Sequence, residues 1–422
     1  MKIRTLMTVV LGLPLSLLAL AGPAAAQTEK DPPAFGISFS GFIKTDIFYD
    51  SRQTVSIREG HYLLFPKGPL SDLEGGDLNG RASFNILSVQ TRLAGKITGP
   101  DALGAKTSAY LEAEFFGTSD ADLNGFRLRH GYLKLNWARS ELMIGQFWHP
   151  MFITESFPDV VSFNTGAPFQ PFNRSPQVRF IQTLGRVSLV ATALAQRDFV
   201  SNGPEGTSSV YLRNAALPEF NLKLQAASKN DSRKTETLAG FAADFMKLSP
   251  RTVTAAGYET EESVTGLAAM AFLRQKWAKW TWKAEAAWGQ NLHHLTMLGG
   301  YAVRDVVDAV RLDWDYTPID TFSCWTEVQT NGAPWQTGLF VGYSKNLGSR
   351  QTIAGANYAR GFNIDQLYRV SPRLVYNVGK MRFAGEAELT AASYGTPDAY
   401  GKVRDARFVR NLRLLLAAYY FF

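Results

Sequence analysis

In several stretches of this chain charged side chains recur at every second residue, against an apolar opposite phase. RVSPRLVYN (369–377) sets Arg369 and Arg373 opposite Val370, Leu374 and Tyr376, and MRFAGEAEL (381–389) sets Arg382, Glu386 and Glu388 opposite Phe383, Ala387 and Leu389. Near the end of the chain Arg407 and Arg413 oppose Phe408, Leu412 and Leu414. Lys44, Arg92 and Arg179 hold similar positions upstream, as do the acids Asp46, Glu112, Glu114 and Glu285. Period-two spacing places such residues on one face of a β-strand. Fixed charges so arranged do the chemistry of an electric field, attracting, repelling and orienting ions along a wet surface.

Bond-making chemistry finds little support. The five histidines are His61, His130, His149, His293 and His294, and the adjacent pair in NLHHLT lacks metal-ligand spacing to other His or Cys. No Gly-x-Ser-x-Gly elbow, phosphate loop or metalloprotease motif occurs. Neither a catalytic residue, a metal nor a cofactor is expected, and no nucleic-acid partner. Cys324 is the single cysteine, which excludes an intramolecular disulfide.

The elements that must position these charges are strands. GISFSGFIKTDIFYD (36–50) alternates Ile37, Phe39, Gly41, Ile43, Ile47 and Tyr49 with Ser38, Ser40, Lys44, Asp46 and Asp50, and WTWKAEAAW sets Trp280, Trp282 and Trp288 against Thr281, Lys283 and Glu285. Turn residues then divide the chain into connections that alternate short and long. Short ones fall at 98–104, 136–141, 183–186, 228–234, 276–280, 329–334 and 377–380. Long ones fall near 51–80, 118–124, 149–175, 200–217, 249–262, 292–318, 346–366 and 395–403. Joined in this way, about sixteen strands form an all-β, antiparallel transmembrane barrel with short periplasmic turns and long outer loops. A β-sandwich or propeller fits less well, because neither alternates loop lengths over so many strands and no blade-sized repeat is present.

Export supports the same reading. MKIRTLMTVVLGLPLSLLALAGPAAAQ has the basic start, apolar run and small-residue end of a signal peptide over 1–26, and Pro14, Gly22 and Pro23 interrupt it as a membrane anchor. Cleavage there leaves 396 residues and, with Lys2 and Arg4 gone, lowers the net charge from +7 to +5. A short periplasmic segment, 27–35, then precedes a barrel over 36–422. Mean hydropathy near zero (−0.12) with 13% aromatic residues suits a chain whose lipid-facing and water-facing residues alternate.

If the barrel is wide, the charges above line its lumen, since each would cost about 2–4 kcal/mol on the lipid face at the midplane. In FRLRHGYLKLNW, Arg127 and Arg129 share a phase with Leu133 and Leu135, so a bulge at His130-Gly131 is expected to turn both arginines inward with Lys134 and Asn136. The connection 149–176 carries five phenylalanines and is expected to fold into the lumen. Arginines facing acids would then create a transverse field, and a net +5 favours anions. The final LLLAAYYFF reads as the last strand, with Phe422, Tyr420, Ala418, Leu416, Leu414 and Leu412 on the lipid face. Leu415, Ala417, Tyr419 and Phe421 face inward, where packing against the N-terminal segment is expected.

With sixteen strands, an inward fifth connection and arginines on strands four and six, the chain resembles the trimeric general porins. More narrowly, GFIKTDIFYDSRQ, ITGPDALGAKTSAYLEAEFFG, FRLRHGYLKLNW and GQFWHPMF resemble the DcaP-like outer-membrane porins over most of the mature chain. The resemblance implies a homotrimer in the outer membrane of a Gram-negative bacterium, in contact with its lipid and passing small anions such as dicarboxylates. It maps a basic eyelet onto Arg127, Arg129 and Arg179, facing the loop carboxylates Glu155 and Asp159. It also makes Tyr420 and Phe422 the signal read by the barrel-assembly machinery. One feature departs from better-known members, which carry a helical periplasmic segment: here QTEKDPPAFG alone separates the cleavage site from the first strand. A surface adhesin or receptor, and a barrel hydrolase using His130 or His149, are the alternatives, although the outer loops, 51–80 among them, read as ordinary polar connections.

Overall fold

The computed structural model describes residues 35–422; the signal peptide expected over 1–26 and nearly all of the short segment expected over 27–35 lie outside the described residues. Sixteen antiparallel strands close into a barrel. They are β1 (Gly36–Asp50), β2 in two pieces (Ser83–Leu87 and Arg92–Thr98), β3 (Lys106–Glu114), β4 (Arg127–Asn136), β5 (Ser140–Trp148) and β6 (Arg174–Leu184). The circuit continues through β7 (Val187–Leu194), β8 (Glu219–Asn230), β9 (Thr235–Leu248), β10 (Val264–Lys276) and β11 (Trp280–Gln290). It ends with β12 (Asp313–Thr330), β13 (Trp335–Gly348), β14 (Ile364–Val378), β15 (Met381–Pro397) and β16 (Val403–Phe421). Closure is made by β16 against β1, from Phe42 opposite Phe421 to Asp50 opposite Arg413, while the other edge of β1 pairs with both pieces of β2. The circle leaves no sheet edge open.

Strand alternation sorts the side chains. Along β1, Phe39 is 70% exposed and Ile43 53%, whereas Lys44 and Asp46 are each 1% exposed. The outer wall is thus apolar and the charges turn inward, the reverse of a water-soluble protein. The last strand follows suit: Leu412, Leu414, Leu416, Tyr420 and Phe422 are exposed, and Leu415 and Ala417 are buried.

Two outer connections differ from expectation. The segment 51–82 is not an ordinary polar loop: Thr54–Ile57 and Tyr62–Pro66 pair as a hairpin, and YLLFP is buried throughout. The apolar run in HYLLFP drives this burial, and it carries the hairpin down into the barrel. Further along, β12 begins at Asp313 rather than near 319, because its outer end is extended by pairing with a loop strand, Gly300–Asp308.

Candidate functional site

The connection after β5 folds into the lumen, as its phenylalanines require. Phe152, Phe163, Phe169 and Phe172 are buried in one cluster with Tyr62, Leu64 and Phe65 of the outer hairpin and with Phe116, Trp325 and Phe340. Phe163 stacks on Phe116 with ring centroids 4.0 Å apart, and Phe152 stacks on Trp148 at the same distance. Phe169 lies over Gly342 of β13, where a Cβ would come within 2.5 Å of its ring; only glycine lets the loop lie this close to the wall.

A loop crossing a barrel must satisfy its own backbone, and the wall supplies the partners. Val161 N–H donates to Glu386 Oε2 (2.6 Å), Asn164 Nδ2 to Glu388 Oε2 (2.9 Å), and Asp159 N–H to both carboxylate oxygens of Glu327 (3.1 and 2.9 Å). From the basic side, Lys44 Nζ donates to Val161 O (3.0 Å), Lys283 Nζ to Phe157 O (2.9 Å), and Arg369 to both Ala167 O (2.7 Å) and Leu64 O (2.8 Å). Glu386 and Glu388 therefore serve as acceptors for the loop rather than as a free acidic wall. Asp159 itself meets Lys283 at 2.7 Å; burial alone would raise its carboxyl, but the ammonium beside it holds it below the usual carboxylate range.

The arginines of β4 do turn inward, through a register shift that leaves Arg129 as the extra residue between the pairs Glu112–His130 and Ala113–Leu128. The bulge lies one residue before the expected position and makes Arg129 and His130 consecutive buried residues. Their partners are on the neighbouring strand β3 and, for Arg127, in the connection after β7. Arg129 reaches Glu112 (2.5 Å) and Glu114 (2.7 Å), Arg127 reaches Glu114 (2.7 Å) and Asp198 (2.8 Å), and Arg92 reaches Glu114 (3.0 Å). Arg174 pairs with Asp198 at 2.5 Å and stands 4.0 Å from Glu114. Burial opposes ionisation of Asp198, yet Arg174 and Arg127 hold it below its ordinary range.

Glu114, with no exposed side-chain surface, thus neutralises one shared cluster of guanidinium groups. Glu114→Gln keeps the shape and removes the charge, leaving the arginines to repel one another in a buried site. A loss of about 3–5 kcal/mol is expected. It should appear as a lower temperature for conversion of the folded to the unfolded band in unboiled gel samples, and an unchanged temperature would remove Glu114 from this role.

Below the inward loop lies a cavity of about 470 Å³. Arg92, Arg129, Arg373 and Arg382 line it against Glu112 and Asp159. Of these arginines, Arg92 and Arg129 are paired as above and Arg373 meets Glu327 at 2.8 Å. Among the described residues no carboxylate lies within ion-pair distance of Arg382, which bonds Asn377 and covers the rings of Tyr419 and Phe421. Arg179 also lacks an ion pair, donating to Gln177 Oε1 and Trp148 O, and its charged neighbours are Glu155, Glu141 and Lys223. The eyelet expected from Arg127, Arg129 and Arg179 against Glu155 and Asp159 is thus arranged differently in part: Arg127 and Arg129 face Glu112, Glu114 and Asp198, Asp159 faces Lys283, and Arg179 alone keeps Glu155 as a charged neighbour.

Elsewhere Lys44 pairs with Asp46 (3.1 Å), Arg413 with Asp50 (2.6 Å) and Arg369 with Glu388 (3.2 Å). Glu285 is buried beside Trp325, and Glu155 is exposed on the loop. Arg407, grouped with the lining by its phase, instead stands exposed near the outer end of β16, opposite Tyr394, where the strand projects past the packed interior. Inward-facing Tyr419 and Phe421 pack on Phe42 of β1, with ring centroids 6.0 and 5.9 Å away.

Sequence reading did not single out Lys223, Asp198, Glu219 or Glu327. Glu219 and Lys223 share the phase of Asn221 in EFNLKLQ, a signal available in the sequence; the roles of Asp198 and Glu327 depend on contacts across the barrel. The structure also gathers His149, His294 and Glu219, although His149 and His294 lie 70 and 75 residues from Glu219.

No protein-family model matches the chain, and no curated protein matches it in sequence. Among solved structures it is similar to the outer membrane channel DcaP of Acinetobacter baumannii, with 16% identity and a TM-score of 0.67 over 94% of this chain and 100% of that one. It is also similar to OmpT of Vibrio cholerae (12% identity, TM-score 0.53, 94% of this chain and 99% of that one). A third match is an anion-selective porin from Comamonas acidovorans (10% identity, TM-score 0.53, 92% and 100%). With its closed ring of sixteen strands, apolar outer wall and charged interior, the chain has the β-barrel fold of these outer-membrane channels.

Proposed function

We propose that the chain is a porin of the Gram-negative outer membrane, passing small hydrophilic and preferably anionic solutes by passive diffusion, with no enzymatic step. The observation that carries this reading is the state of the interior charges. Most are neutralised in pairs; without an ion pair among the described residues stand the cations Arg179, Lys223 and Arg382 and the buried acids Glu285 and Glu386, and neither acid lines the cavity, where Arg92, Arg129, Arg373 and Arg382 face Glu112 and Asp159. A cavity lined by more arginines than acids favours anions. Separated guanidinium groups around one cavity suit solutes with two carboxylates, and the similar Comamonas acidovorans protein is described as an anion-selective porin.

The apolar outer wall supports contact with lipid, and the solved trimer form of OmpT supports assembly as a homotrimer. Export by the 1–26 leader and insertion by assembly machinery that reads Tyr420 and Phe422 belong to the same reading. His149 is buried at the root of the inward loop and His130 in the wall, which argues against a hydrolase at the outer rim.

Because the loop and hairpin fill mid-barrel, purified protein in planar bilayers is expected to open stable, ohmic channels of conductance well below that of an unobstructed sixteen-strand lumen. Protein that inserts and opens no stable channels would overturn the proposal.

A further inference from the structure

We propose that His149, His294 and Glu219, with Asp244 beside them, bind one divalent transition-metal ion, zinc by the donor set, which clamps the root of the inward loop to the barrel wall. The four residues come from four places. His149 follows β5 directly, His294 sits in a one-turn 3-10 helix (His293–Leu295) of the loop after β11, Glu219 opens β8, and Asp244 lies on β9. One ligand atom from each of His149, Glu219 and His294 lies within 4.8 Å of the others, and all three residues are buried. Glu219 Oε1 is 2.8 Å from His149 Nε2 and 2.9 Å from His294 Nε2, while Asp244 Oδ1 is 3.8 Å from His149 Nε2 and is held by Asn221 Nδ2 at 3.0 Å.

Two observations point to a missing cation. First, Glu219 Oε2, on the carboxylate that both imidazoles face, is buried without a hydrogen-bond partner. Secondly, Glu219 and Asp244 are two carboxylates in contact, both buried, with no Lys or Arg in an ion pair to either. His149 does not supply the balance: its Nδ1 accepts from Met151 N–H (3.2 Å), so its proton sits on Nε2 and the ring is neutral. Two buried carboxyl groups in contact with no basic side chain between them are expensive to ionise together, and one dication would match both. Two imidazole nitrogens and a carboxylate are a zinc donor set, with Asp244 as the fourth ligand. The donors would move apart slightly, since atoms bound at about 2.0–2.2 Å around a tetrahedral ion are about 3.3 Å from one another. His149's proton would pass from Nε2 to Nδ1, giving up the Met151 contact. The site lies apart from the cavity under the loop and does not depend on the porin reading.

The test uses the full-length protein in detergent, stripped with EDTA, loaded with Zn²⁺ and desalted. Elemental analysis is expected to find about one zinc per chain, and Co²⁺ in its place should give intense tetrahedral visible bands. His149→Gln, His294→Gln and Glu219→Gln, each checked for the folded gel band, should lose the zinc, whereas His130→Gln should keep it. Wild-type protein without retained zinc, or folded variants of the three residues that retain it fully, would overturn the proposal. The wild-type Co²⁺ spectrum decides where a variant does not fold: tetrahedral bands support the site, and only octahedral, weak absorption rejects it.

Discussion

Arg369→Ala is expected to raise single-channel conductance about two-fold or more and to make the open state noisier, because it releases two plugging segments at once. Arg369 is 1% exposed and bonds four different partners: Ala167 O of the inward loop, Leu64 O of the outer hairpin, Thr390 Oγ1, and the carboxylate of Glu388. Alanine leaves both carbonyls without this donor and Glu388 buried without its cation. Removing one partner of a buried pair costs about 3–5 kcal/mol. The wall itself should persist, since β14 keeps its ladders to β13 and β15. The inward loop also keeps its bonds to Glu327 and Glu386, so the expected state is a loosened plug in an intact barrel. Lysine at 369 retains the charge but not the planar fork that reaches two carbonyls, and should give an intermediate conductance. Conductance equal to the wild type in Arg369→Ala would show that the packed cluster alone sets the passage.

The second large effect concerns selectivity. Arg179→Gln, Lys223→Gln and Arg382→Gln together should bring the chloride-to-potassium permeability ratio down several-fold, to about one or below. These three cations are singled out because the others are already balanced: Arg127 and Arg129 by Glu112, Glu114 and Asp198, Arg373 by Glu327, Arg413 by Asp50. Neutralising a paired arginine uncovers a buried acid and mainly destabilises; neutralising an unpaired one changes the field with little cost to the fold. The measurement is the reversal potential of the triple variant in a KCl gradient, and a ratio unchanged from wild type would separate selectivity from these residues.

The sequence carried the barrel because its signals are local. Alternation marks each strand, glycine- and asparagine-rich turns mark the periplasmic ends, and LLLAAYYFF shows its lipid face by parity alone. Even the β4 bulge was legible to within one residue, since Arg127 and Arg129 could not share a lipid-facing phase with Leu133. The five phenylalanines of 149–176 likewise marked a loop that had to be buried.

What was not legible depends on stagger. Which acid meets which arginine follows from how far neighbouring strands are offset around the barrel, a property of closure and not of any one strand. Glu114 therefore looked like one more lining carboxylate, although its neighbours make it the centre of a basic cluster, and Glu386 and Glu388 looked free although the loop occupies them. The hairpin at Tyr62–Pro66 escaped notice because a five-residue apolar run amid polar residues is a weak pattern. His149, Glu219 and His294 are joined only by the fold.

The most direct test of the central reading is the reversal potential of the wild-type protein in a planar bilayer under a KCl gradient. A potential of the sign set by chloride, showing permeability to chloride above potassium, is the predicted result; a potential of the opposite sign, showing preference for potassium, would contradict it.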